Sequence, residues 1–242
     1  MISKNQIKLI SSLTQKKFRK QHQLFIAEGE KVITEILNST FELEHLYCTK
    51  VLFENVLPLK KSLISESDLK KISSLNTPNN CLAIFKIPVQ KDLKNIGLTV
   101  VLDDIQDPGN LGTIIRLCDW FGVSQIVCSE QSVDVYNPKV VQATMGSITR
   151  LPVFYANLEV YLEKNSSTIY GTFMDGENIY KASLPSQGIV VFGNEGNGIS
   201  KAVENLITHK ISIPRFGALQ ETESLNVAVA AAIVLSEFKR NN

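Results

Sequence analysis

Apolar and polar positions alternate in two different ways along the chain. Up to residue 87 the pattern predicts a small α/β unit, with helices over 5–13, opening at 28–30 and over 66–73, and strands over 24–27, 43–48 and 81–87. Ser3 is placed to cap the first helix, and the basic stretch 14–22 is predicted to be a loop. The polar stretch 88–96 is the best candidate for a linker. We therefore predict one domain over 1–95 and a second over 96–242.

From residue 98 the pattern becomes a repeated order of strand, loop and helix. Residues 98–102 are a continuous apolar run, which is typical of a parallel strand covered on both faces. Further strands are predicted over 125–128, 153–155, 167–172, 188–192 and 210–213, with helices over 111–121, 139–145, 158–162, 200–206 and 225–238. This alternation predicts an open parallel sheet whose ligands bind at the carboxyl ends of the strands.

Composition narrows the class of protein. The 242 residues are 44% hydrophobic and 20% charged, which excludes wholesale disorder. No run reaches the roughly 18 apolar residues of a membrane span, and the start of the chain is polar, so we expect a cytoplasmic protein with no membrane contact. The four cysteines are far apart and form no CxxC or CxxH pair, so we expect reduced, buried thiols and no metal site.

Charge is unevenly distributed between the two halves. Residues 1–95 hold 15 basic and 9 acidic residues, whereas residues 96–242 hold 10 basic and 15 acidic residues. Lys16, Lys17, Arg19 and Lys20 cluster where no acid precedes Glu28. This cluster is a candidate RNA-binding site, although a solvated lysine-rich surface explains the charge equally well.

A first loop with candidate chemistry follows the strand over 98–102. Asp107-Pro108-Gly109-Asn110 predicts a turn, with Asn110 as the cap of the next helix. Arg116 lies six residues later, about one and two-thirds turns along that helix. Its planar guanidinium suits a phosphate, but this loop taken alone favours a surface arginine paired to an acid.

Two further loops follow later strands. Gly193, Gly196 and Gly198 have the spacing GxxGxG, which matches neither the dinucleotide fingerprint nor a phosphate-binding P-loop. After the strand at 210–213, Ser224 is predicted to cap the last helix. Asn226 is then a polar residue at the start of an apolar helix, and a buried amide there would need hydrogen-bond partners.

Together the three loops resemble the signature motifs of the SpoU (TrmH-type) RNA methyltransferases of the SPOUT superfamily. The resemblance covers about residues 98–240 and rests on Asn110-Leu-Gly-Thr-Ile-Ile-Arg116, on Gly193-Asn-Glu-Gly-Asn-Gly198, and on Ile213-Pro214 followed by Ser224-Leu225-Asn226-Val227. The front half, with Phe25-Ile26-Ala27-Glu28-Gly29 before a helix, more loosely resembles a small ribosomal-protein-like substrate-binding domain.

The resemblance implies a fold and an activity. It implies a SPOUT-type parallel sheet with a trefoil knot, a homodimer, and methyl transfer from S-adenosylmethionine to a ribose 2′-hydroxyl of RNA. Gly193, Ile213 and Leu225 would line the cofactor site. The implied catalytic residues are Asn110, Arg116, Glu195, Ser224 and Asn226, with Arg116 holding a phosphate and Glu195 fixing its loop or pairing with Arg116.

The sequence departs from the family pattern at a few positions, and it is compatible with other functions. The stretch 217–224 is longer than usual and carries Glu221 and Glu223, and Ala228 stands where many members have serine. The alternatives are a catalytically inactive RNA-binding protein of the same fold, a small-molecule nucleotide-binding protein, and a methyltransferase that protects against an antibiotic. The basic front half favours ribosomal RNA over transfer RNA.

Overall fold

The chain folds into two compact units. The computed structural model describes residues 2–89, 92–93, 97–217, 219, 221 and 224–240, so part of the predicted linker lies outside the described residues. One unit comprises residues 1–90 with 134–149, and the other comprises 91–133 with 150–242. The first unit therefore takes in a segment that the sequence-based division assigned to the second domain.

The first unit is a four-stranded mixed sheet with helices. Its strands are β1 (Leu24–Glu28), β2 (Leu43–Cys48), β3 (Lys61–Leu63) and β4 (Cys81–Lys86), in the order β1-β4-β2-β3. Its helices are α1 (Lys4–Ser12), α2 (Lys16–His22), α3 (Glu30–Leu37) and α4 (Glu66–Ile72), and the later segment adds α6 (Pro138–Thr144). Ser3 caps α1 in a reciprocal arrangement with Gln6, as the sequence predicted.

Residues 16–22 form a helix where the sequence predicted a loop. The segment holds a single apolar residue, Phe18, so its periodicity could not indicate a buried face. The fully buried side chain of this helix is Arg19, which is 2% exposed. A charged residue directed inward is invisible to a hydrophobic pattern, because its burial depends on partners elsewhere in the chain.

The second unit is a parallel sheet of six strands. These are β5 (Leu98–Leu102), β6 (Gln125–Ser129), β7 (Val153–Ala156), β8 (Ile169–Asn178), β9 (Gly188–Phe192) and β10 (His209–Ser212). Their order is β10-β8-β9-β5-β6-β7, and every pairing is parallel, as the sequence predicted. The helices are α5 (Pro108–Trp120), α7 (Leu158–Glu163), α8 (Lys201–Glu204) and α9 (Val227–Lys239).

Strand β8 is longer than predicted. It continues past Thr172 to Asn178, through an Asp-Gly-Glu-Asn sequence that is typical of a turn. A Cβ on Gly176 would lie 2.5 Å from the backbone carbonyl carbon of Ile211, so glycine permits the close approach of β8 to β10. All four cysteines are free, and their burial agrees with the prediction from the sequence.

Candidate functional site

The three candidate loops all belong to the second unit and leave the carboxyl ends of β5, β9 and β10. Strands β5 and β9 are adjacent in the sheet, so their loops emerge side by side. Hydrogen bonds link these two loops directly. The backbone N–H of Ser200 donates to the buried carboxylate of Asp103 at 2.8 Å, and the side-chain amide of Asn194 donates to the carbonyl of Asp104 at 2.7 Å. Asp104 itself has a left-handed backbone (φ 58°), a conformation uncommon outside glycine.

The helix after β5 begins earlier than predicted. Asp107, and not Asn110, is the N-cap of α5, because its carboxylate accepts from the backbone N–H of Asn110 at 2.8 Å. Pro108 occupies the first helical turn, where its missing N–H costs nothing. Asn110 therefore lies inside the first turn, and its side-chain amide is not used in capping.

The loop after β9 closes on itself. The backbone N–H and carbonyl groups of Asn194 and Gly198 bond each other at 2.9 Å in both directions. The side-chain oxygen of Asn194 also accepts from the N–H groups of Gly196 and Asn197. A Cβ on Gly193 would lie 2.1 Å from the carbonyl carbon of Gly198, so no side chain fits at position 193. Glycine at position 193 therefore allows the two ends of the loop to pack directly against each other.

Glu195 fixes the neighbouring loop. Its carboxylate accepts from the backbone N–H groups of Gln106 and Asp107 at 3.4 and 3.3 Å, and from the side-chain amide of Asn110 at 3.0 Å. Of the two roles expected for Glu195, this geometry favours holding the loop over pairing with Arg116.

Asn226 is the N-cap of α9, a role that the sequence assigned to Ser224. Its side-chain oxygen accepts from the N–H groups of Ala228 and Val229 at 2.9 and 3.3 Å. Its side-chain nitrogen donates to the side-chain oxygen of Asn110 at 3.0 Å. Asn226 is exposed. Its hydrogen bonds therefore serve to cap the helix and are not needed to compensate for a buried amide.

The remaining two residues of the predicted catalytic set take no part in the hydrogen bonds that link Asn110, Glu195 and Asn226. Arg116 is exposed on α5, and within the described part of the chain its guanidinium makes no ion pair. Ser224 is exposed and lines a cavity beside α9. The structure thus joins Asn110, Glu195 and Asn226 directly and leaves Arg116 and Ser224 open to solvent.

The cavity has a volume of about 980 Å³ and includes all three residues predicted to line a cofactor site, Gly193, Ile213 and Leu225. Glu195, Ser224 and Glu221 also line it. Sequence reasoning missed the wall contributed by β8, which consists of Thr172, Phe173 and Met174. Phe173 and Met174 lie beyond the predicted end of this strand at residue 172, because the turn-like sequence that follows hid the extension of β8. Glu223, the second acid of the long stretch 217–224, lies outside the described residues.

The predicted RNA-binding cluster lies in the first unit, on α2. Lys16, Lys17 and Lys20 are exposed, as a phosphate-binding surface requires. Arg19 departs from the prediction because its guanidinium is buried and donates to Asp134 and to the carbonyls of Leu13 and Thr14. We therefore remove Arg19 from the candidate RNA surface.

The described residues include no candidate metal site and no candidate membrane-spanning helix. No group of three or more His, Cys, Asp or Glu side chains there could hold a metal ion. None of the helices in the described ranges is both long and apolar enough to cross a membrane.

Comparison with known proteins matches the two parts of the chain to two family models. Residues 97–236 match the SpoU rRNA Methylase family, and residues 4–83 match the MRM3-like substrate binding domain. The chain is 30% identical over 245 residues to the Bacillus subtilis 23S rRNA (guanosine(2553)-2′-O)-methyltransferase RlmP, covering 98% of this chain and 97% of the relative.

Solved structures give the same picture. A TrmH-family protein from Porphyromonas gingivalis is 38% identical, with a TM-score of 0.91 and full coverage of both chains. An AdoMet-bound rRNA methyltransferase from Sinorhizobium meliloti is 28% identical, with a TM-score of 0.88, covering 100% of this chain and 97% of that chain. These similarities confirm the fold that the motifs implied, while the trefoil knot stays a prediction.

Proposed function

The chain belongs to the SpoU rRNA methylase family, and from this premise we propose that it transfers the methyl group of S-adenosylmethionine to a ribose 2′-hydroxyl of ribosomal RNA. One observation carries the proposal furthest. The hydrogen-bonded chain Asn226–Asn110–Glu195 joins all three candidate loops at a cavity lined by Gly193, Ile213 and Leu225. A catalytically inactive RNA-binding protein would need neither these hydrogen bonds between the loops nor a solvent-exposed Arg116.

The cavity suits S-adenosylmethionine. Its volume of about 980 Å³ lies at the upper end of the range typical of ligand sites. The closed loop at Gly193 offers backbone groups, Phe173 and Met174 offer apolar surface, and the carboxylates of Glu195 and Glu221 offer negative charge for a cationic cofactor. When bound there, S-adenosylmethionine supplies a methyl group already activated by its sulfonium.

The donor and the acceptor of each hydrogen bond in the series Asn226–Asn110–Glu195 are fixed. The side-chain oxygen of Asn226 is committed to capping α9, so its nitrogen must donate, and the oxygen of Asn110 must accept. The nitrogen of Asn110 then donates to Glu195, an acceptor at neutral pH. Each of the two amide nitrogens keeps a second hydrogen available. We assign these hydrogens to ribose oxygens, which they orient toward the methyl donor.

Arg116 provides the remaining interaction. A guanidinium is very hard to deprotonate, so Arg116 acts as an anchor for the phosphate beside the target ribose. Ser224, exposed on the cavity wall, completes the set by positioning the ribose. Holding the hydroxyl in line with the methyl group accounts for much of the rate enhancement expected of such a site.

We also propose the domain boundaries, the oligomeric state and the cellular location of the protein. The substrate-binding domain spans 1–95 and the methyltransferase domain 96–242, which the family matches at 4–83 and 97–236 support. The protein acts as a homodimer in the cytoplasm. The exposed apolar side chains of Leu225, just before α9, and of Val229, in its first turn, support a dimer contact.

Two measurements on the same preparation test the proposal. Calorimetry should show binding of S-adenosylmethionine and of S-adenosylhomocysteine. Incubation with methyl-labelled S-adenosylmethionine and an unmodified 23S rRNA transcript should place the label on a ribose 2′-oxygen. The adjacent phosphodiester should then resist alkaline hydrolysis, because that hydrolysis requires a free 2′-hydroxyl. Cofactor binding without transfer to ribosomal or transfer RNA would favour the inactive RNA-binding alternative, and absence of cofactor binding would refute the proposal.

A further inference from the structure

The two sides of the cavity in the second unit differ in chemistry. On the side of β5, the hydrogen bonds that link Asn110, Glu195 and Asn226 bring polar groups together. Strand β8 lies on the other side of β9 from β5, and there Phe173 and Met174 give the cavity an apolar wall. A ligand that has one polar part and one flat apolar part would therefore bind in a single orientation.

This difference orients S-adenosylmethionine in the cavity. Its methyl group must face the amides of Asn110 and Asn226, to which the proposed function assigns the ribose. Its adenine is flat and has two π faces, so it lies toward β8, at the apolar side. The side chains beside the end of β8 therefore determine how the adenine is held.

Phe216 is an aromatic residue on this side of the cavity. It comes shortly after the end of β10 and lines the cavity, although 83% of its surface is exposed. The guanidinium of the preceding residue, Arg215, lies 3.9 Å from the sulfur of Met174. That contact places the stretch that carries Phe216 next to the wall contributed by β8, where the adenine is expected.

A second aromatic ring lies beside Phe216. The ring centroid of Tyr180 is 6.4 Å from that of Phe216, with 31° between the two planes. Tyr180 follows the extension of β8, which glycine at position 176 allows to pack closely against β10. The backbone N–H of Ile179 donates to the carbonyl of Ser212 at 2.9 Å and fixes the chain before Tyr180. Of these two rings, Phe216 is the one that lines the cavity.

We infer that Phe216 stacks on the adenine ring of S-adenosylmethionine, and that Tyr180 is a positioning residue that holds the Phe216 ring at the cavity. This inference rests on the proposed function. It adds an aromatic side-chain contact to the cofactor site lined by Gly193, Ile213 and Leu225. Aromatic rings attract each other in offset-stacked arrangements, so the contact fixes the adenine and leaves the methyl group facing the RNA.

Calorimetry with S-adenosylhomocysteine measures this contact without any need for turnover. Phe216→Ala should weaken binding roughly 5- to 150-fold, the range for one base stacked on an aromatic side chain. Phe216→Leu keeps an apolar surface but loses the π face, so it should still weaken binding by about twofold or more, whereas Phe216→Tyr should bind like wild type. Full affinity in either the alanine or the leucine variant would overturn the inference.

A matched control tests for a general effect of removing an exposed apolar side chain. Leu59 is 93% exposed, belongs to the first unit and does not line the cavity. Leu59→Ala should therefore bind S-adenosylhomocysteine like wild type. Light scattering on Phe216→Ala tests for a contact between copies of the chain. A lower molecular mass than wild type, together with weaker binding, would assign the ring to such a contact and overturn the inference.

NMR of the bound ligand identifies the part of the cofactor that Phe216 touches. With saturating wild-type protein, the two adenine ring protons of S-adenosylhomocysteine should shift upfield, because they lie over the face of an aromatic ring. Phe216→Leu should reduce this shift at equal occupancy. Tyr180→Ser should reduce both shift and affinity, and Tyr180→Phe should restore both. An unchanged shift in Phe216→Leu would overturn the inference, whereas absence of binding in wild type would instead refute the proposed function.

Discussion

Arg19 and Asp134, 115 positions apart in sequence, form a buried ion pair inside the first unit. The Nε of Arg19 donates to Oδ2 of Asp134 at 2.8 Å, and their side chains are 2% and 14% exposed. Arg19 also donates to the carbonyls of Leu13 and Thr14, just past the end of α1. Asp134 begins the segment that carries α6, so this pair ties that later segment to the first two helices.

Removing one member of this pair should destabilise the first unit strongly. In Asp134→Ala the guanidinium of Arg19 stays buried without its counter-charge, and such a loss typically costs about 3–5 kcal/mol of unfolding free energy. Chemical denaturation followed by circular dichroism measures this change. The exposed control Lys17→Ala should stay within about 0.5 kcal/mol of wild type. An equally stable Asp134→Ala protein would show that the ion pair is dispensable.

Arg19 also marks the limit of prediction from sequence. Most of the strands could be predicted, because apolar runs such as 98–102 and 188–192 coincide with β5 and β9. The sequence could not reveal that Arg19 is buried, because its partner lies 115 residues away. Nor could it distinguish Ser224 from Asn226 as the cap of α9, since both residue types cap helices well and only the observed hydrogen bonds to Ala228 and Val229 decide between them.

The cofactor site should depend on Gly193. In Gly193→Ala the new Cβ would meet the carbonyl carbon of Gly198 at 2.1 Å, so the closed loop must open. Overpacking of this kind costs about 1–3 kcal/mol, and we expect affinity for S-adenosylmethionine to fall about tenfold or more. Calorimetry measures the affinity. The matched control is Gly122→Asn. Gly122 lies outside the cavity lining, its Cβ would meet no atom within 4 Å, and asparagine tolerates its left-handed backbone (φ 63°), so affinity should stay near wild type.

Arg116 should matter for turnover and not for cofactor binding. If it anchors the phosphate beside the target ribose, Arg116→Ala should reduce methyl transfer by at least ~10²-fold while the dissociation constant for S-adenosylmethionine stays near normal. Arg116→Lys keeps the charge but loses the planar fork, so it should recover only part of the activity. Single-turnover transfer to an rRNA transcript is the measurement. Full activity of the alanine variant would remove Arg116 from the mechanism.

Asn226 combines a structural and a catalytic role that two substitutions can separate. Asn226→Ala removes the cap of α9, which should cost about 1 kcal/mol of stability, and also the donor to Asn110. Asn226→Asp keeps the capping oxygen and loses that donor. We therefore expect thermal stability close to wild type and impaired turnover for the aspartate variant. Wild-type turnover in that variant would show that the amide chain does not orient the substrate.

The exposed lysines of α2 should contribute to RNA affinity through their charge. Lys16, Lys17 and Lys20 remain candidates after Arg19 is excluded. Each phosphate contact releases counterions and contributes about −0.7 to the slope of log K against log salt on single-stranded RNA. Changing all three lysines to alanine should therefore weaken binding and flatten the slope by up to about 2 units, without altering affinity for S-adenosylmethionine.

A matched triple variant controls for net charge. Lys164, Lys181 and Lys201 are exposed lysines of the second unit, and their replacement by alanine removes the same three charges. Binding of an rRNA transcript is measured for wild type and both variants at several salt concentrations. If the α2 lysines touch phosphates, only their removal changes the slope, because a general charge effect would act on both variants alike. Identical slopes in all three proteins would mean that α2 is a solvated basic surface, and the RNA contacts of the first unit would then have to lie on another element.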